Sequence, residues 1–85
     1  YELNQNYPNP FNPVTHISYT IPTSGQVKLT IYNVLGEKVS TLVNDVITPG
    51  THTATWNAEN MPSGVYFYRL DAGSFSQTNK LLLIK

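Results

Sequence analysis

Val14-Thr15-His16-Ile17-Ser18-Tyr19-Thr20-Ile21-Pro22-Thr23-Ser24-Gly25-Gln26-Val27-Lys28-Leu29-Thr30-Ile31-Tyr32-Asn33 is a pair of short alternating runs separated by a turn. In the first run Ile17, Tyr19 and Ile21 share one face, while His16, Ser18 and Thr20 share the other. In the second, Val27, Leu29 and Ile31 form the inward set, opposite Lys28, Thr30 and Tyr32. Period-two alternation in β-branched and aromatic residues marks half-buried strands, because successive side chains leave a pleated strand on opposite faces. Pro22-Thr23-Ser24-Gly25 ends the first run, since proline fixes φ and glycine reaches the conformations a turn needs.

The same grammar extends to the rest of the chain. Val34-Leu35-Gly36-Glu37 and Asp71-Ala72-Gly73 read as hairpin connections; Thr48-Pro49-Gly50 and Asn60-Met61-Pro62-Ser63-Gly64 break the chain more firmly. Between the breaks, Lys38 to Val43 is a weaker, mixed strand. In Thr51 to Asn57, His52, Ala54 and Trp56 alternate with Thr51, Thr53 and Thr55. Val65 to Leu70 carries large side chains on both faces, as a central strand does, and Ser74 to Ile84 ends in the apolar run Leu81-Leu82-Leu83-Ile84. No window shows a capped 3.6-residue period. Six strands, seven if Tyr1 to Leu3 pairs, predict an all-β fold: a small antiparallel Ig-like β-sandwich of about seven short strands. A closed barrel is the alternative arrangement of the same pattern.

Composition narrows the function. Eighty-five residues make one domain, and 40% hydrophobic content is enough for a core. Five Lys and Arg balance five Asp and Glu, which argues against a nucleic-acid binder or an anionic-membrane binder, both of which need a basic face. The absence of cysteine removes disulfides and thiolate chemistry. No apolar run approaches the roughly 18–20 residues of a membrane span, so no direct membrane insertion is expected. The sole methionine is Met61, so a chain that starts at Tyr1 is expected to be a piece of something longer.

Catalytic material is thin. His16 falls on the polar face of its strand, and His52 shares a face with Ala54 and Trp56, where a partly buried, hydrogen-bonded ring is expected. Histidines and carboxylates show no metal-ligand spacing, and Asp45, Glu59 and Asp71 lie in or beside turns. The glycines are turn glycines rather than a phosphate cradle. No enzyme, metal or cofactor is expected. Six tyrosines and Trp56 admit a carbohydrate platform as a lesser reading, but Tyr19, Trp56, Tyr66 and Phe67 or Tyr68 alternate as core residues do.

One segment is unlike a generic sandwich: Asn4-Gln5-Asn6-Tyr7-Pro8-Asn9-Pro10-Phe11-Asn12-Pro13. Three prolines remove three backbone donors, so the stretch cannot lie within a central ladder. Each residue before a proline is pushed to extended geometry. A stiff loop over residues 1–13, pinned by Tyr7 and Phe11 against a sandwich of residues 14–85, is expected, as a rigid cover, a partner-read surface, or both. Tyr7 to Pro13, then Ile17-Ser18-Tyr19 and Pro22, then Tyr32-Asn33-Val34-Leu35-Gly36-Glu37-Lys38-Val39, resemble the type A C-terminal sorting domain of type IX secretion substrates from the Bacteroidetes–Chlorobi bacteria. The resemblance continues, in order, through Gly50-Thr51-His52, Trp56-Asn57-Ala58, Ser63 to Leu70 and Lys80 to Lys85. The Ig-like domain of flagellar hook-capping proteins is similar as well.

The resemblance implies a folded cargo label at the end of an exported protein. An outer-membrane secretion translocon recognises such a label, and a sortase-like peptidase then removes it and attaches the cargo to the surface. The implied partners are these two machines and an N-terminally fused cargo domain; the implied route runs through the periplasm to the cell surface or the extracellular space. Pro8, Asn9, Pro10, Phe11, Asn12 and Pro13 are the sorting-motif candidates of the loop. Gly64, Tyr66, Lys80 and Lys85 match the part of the family pattern tied to export, and the cleavage region falls at or before Tyr1. The terminal strand is expected to leave one edge open for a receptor strand, with Lys80 and Lys85 fixing orientation. The competing function is a passive Ig-like linker or structural module of a larger extracellular protein.

Overall fold

The computed structural model describes all of residues 1–85. Seven strands follow one another without a helix: β1 Glu2–Leu3, β2 Val14–Ile21, β3 Gly25–Tyr32, β4 Lys38–Ile47, β5 Gly50–Asn57, β6 Gly64–Ala72 and β7 Phe75–Leu83. They form two antiparallel sheets, ordered β1-β2-β5 and β4-β3-β6-β7, in a sandwich of immunoglobulin-like type. The seventh strand is the short pairing of Glu2 and Leu3 with Thr20 and Tyr19.

The turns do two different jobs. Val34 to Glu37 and the Gly73 turn join hydrogen-bonded neighbours, β3 to β4 and β6 to β7. Pro22 to Ser24, Thr48-Pro49 and residues 58–63 instead carry the chain from one sheet to the other. Stiff, donor-poor residues suit these crossings, where the chain must leave a ladder.

The inward sets meet between the sheets. Ile17, Tyr19, Ile21 and Trp56 from one side face Val27, Leu29, Ile31, Tyr66, Tyr68, Leu70, Leu81 and Leu83 from the other, all buried. β6 lies between β3 and β7, as its large side chains on both faces imply. Tyr68 is the inward residue and Phe67 the outward one.

One expectation changes, and one burial was not foreseen. β4 runs to Ile47, so Asp45 is inside a strand; register shifts opposite Leu29/Thr30 and Ile31/Tyr32 absorb its irregular pattern. Thr30, on the outward side of β3, is nonetheless fully buried and its Oγ1 lacks a partner. It lies between Thr41 of β4 and Arg69 of β6, and a middle strand loses exposure to neighbours on both sides.

Candidate functional site

The N-terminal loop is a seam between the sheets. Tyr7 exchanges both backbone bonds with His16 of β2 at 2.9 Å. Phe11 then reaches the opposite sheet: its N–H donates to the Leu82 carbonyl at 3.0 Å, and its carbonyl accepts from Ile84 at 2.9 Å. Asn9 Oδ1 accepts from the Leu82 N–H at 3.0 Å, and the Gln5 amide donates to the Lys80 carbonyl at 2.8 Å. The Pro13 carbonyl accepts from Ala58 at 2.8 Å. The peptide bonds before Pro8, Pro10 and Pro13 are cis.

Phe11 pins the loop, being only 2% exposed, with its ring 5.7 Å from Trp56. Trp56 in turn meets Tyr66 edge-on at 5.3 Å, so loop, β5 and β6 share one aromatic cluster. Tyr7 does not pin it. Its ring is 78% exposed and only its backbone is held, because the bridge to His16 fixes the main chain while the side chain points to water. Pro8, Asn9, Pro10 and Asn12 are likewise exposed, and Pro13 is half-buried.

Beneath the loop lies a buried polar knot. Asn6 donates from Nδ2 to Thr15 Oγ1 at 3.0 Å and to the Pro8 carbonyl at 3.2 Å. Thr15 donates to the same carbonyl at 2.9 Å. The Tyr68 hydroxyl accepts from the Asn6 N–H at 2.9 Å and from Asn79 at 3.2 Å, and donates to the Asn4 carbonyl at 2.7 Å. Burial pushes the Tyr68 hydroxyl above the ordinary tyrosine value, against a smaller opposite pull from the Asn79 and Asn6 bonds. Sequence reasoning missed Asn6 and Thr15 as structural residues. Alternation alone signals Thr15, which shares the inward set of Ile17.

The other candidates gather at the same end. Gly64 opposes Leu83 in register and holds φ at 148°, a region that disfavours any side chain. Tyr66 is buried, its hydroxyl donates to the Pro62 carbonyl at 2.6 Å, and desolvation raises its pKa. Lys85 is tied back on the 58–63 connection: its N–H donates to Ser63 Oγ at 3.0 Å and its Nζ to the Glu59 carbonyl at 2.5 Å. Lys80 is exposed, and its side chain has no hydrogen-bond partner.

The open terminal edge is not there. From Lys80 to Ile84 the outer backbone groups of β7 are occupied by Gln5, Asn9 and Phe11. A proline-rich segment covers this edge because it needs only scattered donors and acceptors, not a full ladder. β4 forms the other edge of the larger sheet, and residues 75–79 of β7 have no backbone partner on their outer side.

The histidines behave as structural residues. His16 Nδ1 lies 2.9 Å from Thr55 Oγ1 on the outer face. His52 is half-buried, stacks at 5.7 Å on Tyr19 and bonds the Thr48 carbonyl at 2.8 Å. The glycines, aromatics and tethers form a seven-stranded, two-sheet module whose loop and last strand are interlocked. A model of the family described as the secretion system C-terminal sorting domain matches residues 5–85. The chain belongs to this family of type IX sorting tails, which mark exported proteins for the cell surface or the extracellular space. No curated protein matches the chain significantly.

Proposed function

We propose that residues 1–85 act as one non-catalytic sorting domain. It directs an N-terminally fused cargo from the periplasm through the outer-membrane translocon to the cell surface, where a sortase-like peptidase removes it. The observation that carries this reading is the family match across residues 5–85. The interlock of Phe11, Gly64, Tyr66 and the terminal strand supports a signal read as a folded object, since the motif residues come together only when the sandwich is intact. Within it Pro8 to Pro13, Gly64 and Tyr66 set the shape, and Lys80 supplies a free charge.

The test is a reporter carrying a periplasmic signal peptide, fused ahead of this chain, in a host that has the translocon. Surface or extracellular reporter is the expected result. Reporter held in the periplasm contradicts the sorting function and favours a passive module.

A further inference from the structure

In a chain whose charges cancel, the cations are not spread evenly. Lys28, Lys38, Arg69 and Lys80 are four of the five, and all face outward from the four-stranded sheet. The register sets Lys28 opposite Asp71, Lys38 opposite Tyr32, Arg69 opposite Thr30 and Lys80 opposite Phe67. Asp71 is the acid on this face, and Arg69 takes it at 3.0 Å in the structure's only salt bridge. The three lysines form no salt bridge, Lys28 included, although it lies across from Asp71. Lys38, Tyr32, Phe67 and Lys80 form one cross-strand row. Its two lysines stand at opposite sheet edges, about 14 Å apart at three strand spacings. The half-buried Tyr32 and Phe67 rings lie between them, with Val65 and Leu82 paired further along.

The connection from β3 to β4 rises beside this row. Val34 is 66% and Leu35 79% exposed. They are not loose. Asn33 Oδ1 accepts from the Leu35 and Glu37 N–H groups at 2.9 and 3.0 Å, and its Nδ2 donates to Glu37 Oε1 at 2.9 Å. Two backbone bonds of 3.0 Å, Asn33 to Glu37 and Gly36 to Asn33, close the turn. Gly36 supplies the φ of 80° that the turn requires. Shallow depressions of about 290 and 330 Å³ flank this apolar knob, one floored by Tyr32 and Phe67, the other by Val65 and Pro62.

We propose that this face docks onto a protein surface offering an apolar socket for Val34 and Leu35, rimmed by carboxylates that meet Lys38 and Lys80. The proposal rests on the sorting reading and assigns the part of the domain that the translocon grips. Unpaired cations around apolar side chains call for a partner of opposite charge. The hairpin's rigidity selects a protein over lipid: a preorganised knob reduces the ordering cost of entering a shaped socket, and a fluid bilayer has no socket to match.

The experiment measures binding of the 85-residue chain to detergent-purified type IX translocon at low and high salt. Val34→Ser with Leu35→Ser should weaken binding by roughly tenfold or more. Lys38→Glu with Lys80→Glu should weaken it mainly at low salt, while Thr53→Glu on the opposite sheet should not. Melting curves of all three check folding. Parental binding by either face variant overturns the docking face. So does wild-type binding to phosphatidylglycerol vesicles, or self-association in sedimentation, that the same face variants abolish. If the unmodified chain neither binds the translocon nor exports a reporter, the sorting reading itself fails.

Discussion

On the outer face of the three-stranded sheet, His16 and Thr55, Ser18 and Thr53, and Thr20 and Thr51 pair across β2 and β5 at 2.9, 3.2 and 2.9 Å. On the outer face of the four-stranded sheet, Lys28, Lys38 and Lys80 form no salt bridge, and Lys38 and Lys80 flank the half-buried Tyr32 and Phe67 rings. Both faces alternate against the same core. The first pairs its β2 and β5 hydroxyls and His16 across the strands and carries no lysine or arginine; the second leaves cations and apolar surface unanswered. A hydroxyl ladder of this kind finishes a sheet for contact with water. Unanswered groups finish one for contact with a partner, and the difference assigns stability to one side and recognition to the other.

The core beneath both faces gives the largest expected effect. Trp56→Ala should lower unfolding free energy by about 3–5 kcal/mol, because it removes the ring that holds Phe11 and Tyr66 together. Urea denaturation measures it. A loss below about 1 kcal/mol would place the seam's anchor elsewhere.

Tyr68→Phe comes next, at about 1–3 kcal/mol, since it strands the buried Asn6 N–H without its acceptor. The same hydroxyl bears on alkaline stability. Burial raises Tyr19, Tyr66 and Tyr68 above their ordinary value of 10.0. The unfolded chain therefore releases these protons first. Stability is full below about pH 10 and falls as pH climbs through the raised values. Tyr68→Phe should flatten that fall; an unchanged alkaline slope would separate the knot from it.

The faces themselves give the smallest effects on folding, and here they should part company. Thr20→Ala with Thr51→Ala breaks a ladder pair and should cost about 0.2–1 kcal/mol, with reporter export unchanged. Lys38→Glu with Lys80→Glu should shift stability by less than about 0.5 kcal/mol, yet reduce export. Equal export by the charge variant and the parent would erase the distinction between the faces.

Most of the architecture was legible in the sequence because one face of each strand is buried and the alternation says which. Ile17, Tyr19, Ile21, Val27, Leu29 and Ile31 are all inside as read. Thr30 lies on the outer face as read, but its burial was not legible, because alternation reports a side chain's face, not how many strands crowd it. Of the candidate site, the special character of Pro8 to Pro13 was legible, but its partner was not. Asn9 and Leu82 meet 73 residues apart, and Tyr68 meets Asn4 64 residues apart; no local pattern encodes such contacts. The terminal edge therefore read as open when the loop already covers it. The cation face was present in the residue types but invisible until register aligned β4, β3, β6 and β7.

The most direct test of the division between the faces is site-specific photocrosslinking during export. A photoreactive side chain replaces Leu35 on the knob or Thr53 on the hydroxyl ladder of a chain fused behind a reporter. Both positions are exposed, so both variants should fold, and an apolar diazirine side chain close to leucine in size keeps the knob's fit, so both should be exported. The Leu35 position should crosslink to a translocon subunit and the Thr53 position should not. Crosslinking from Thr53 alone, or equally from both, would contradict it.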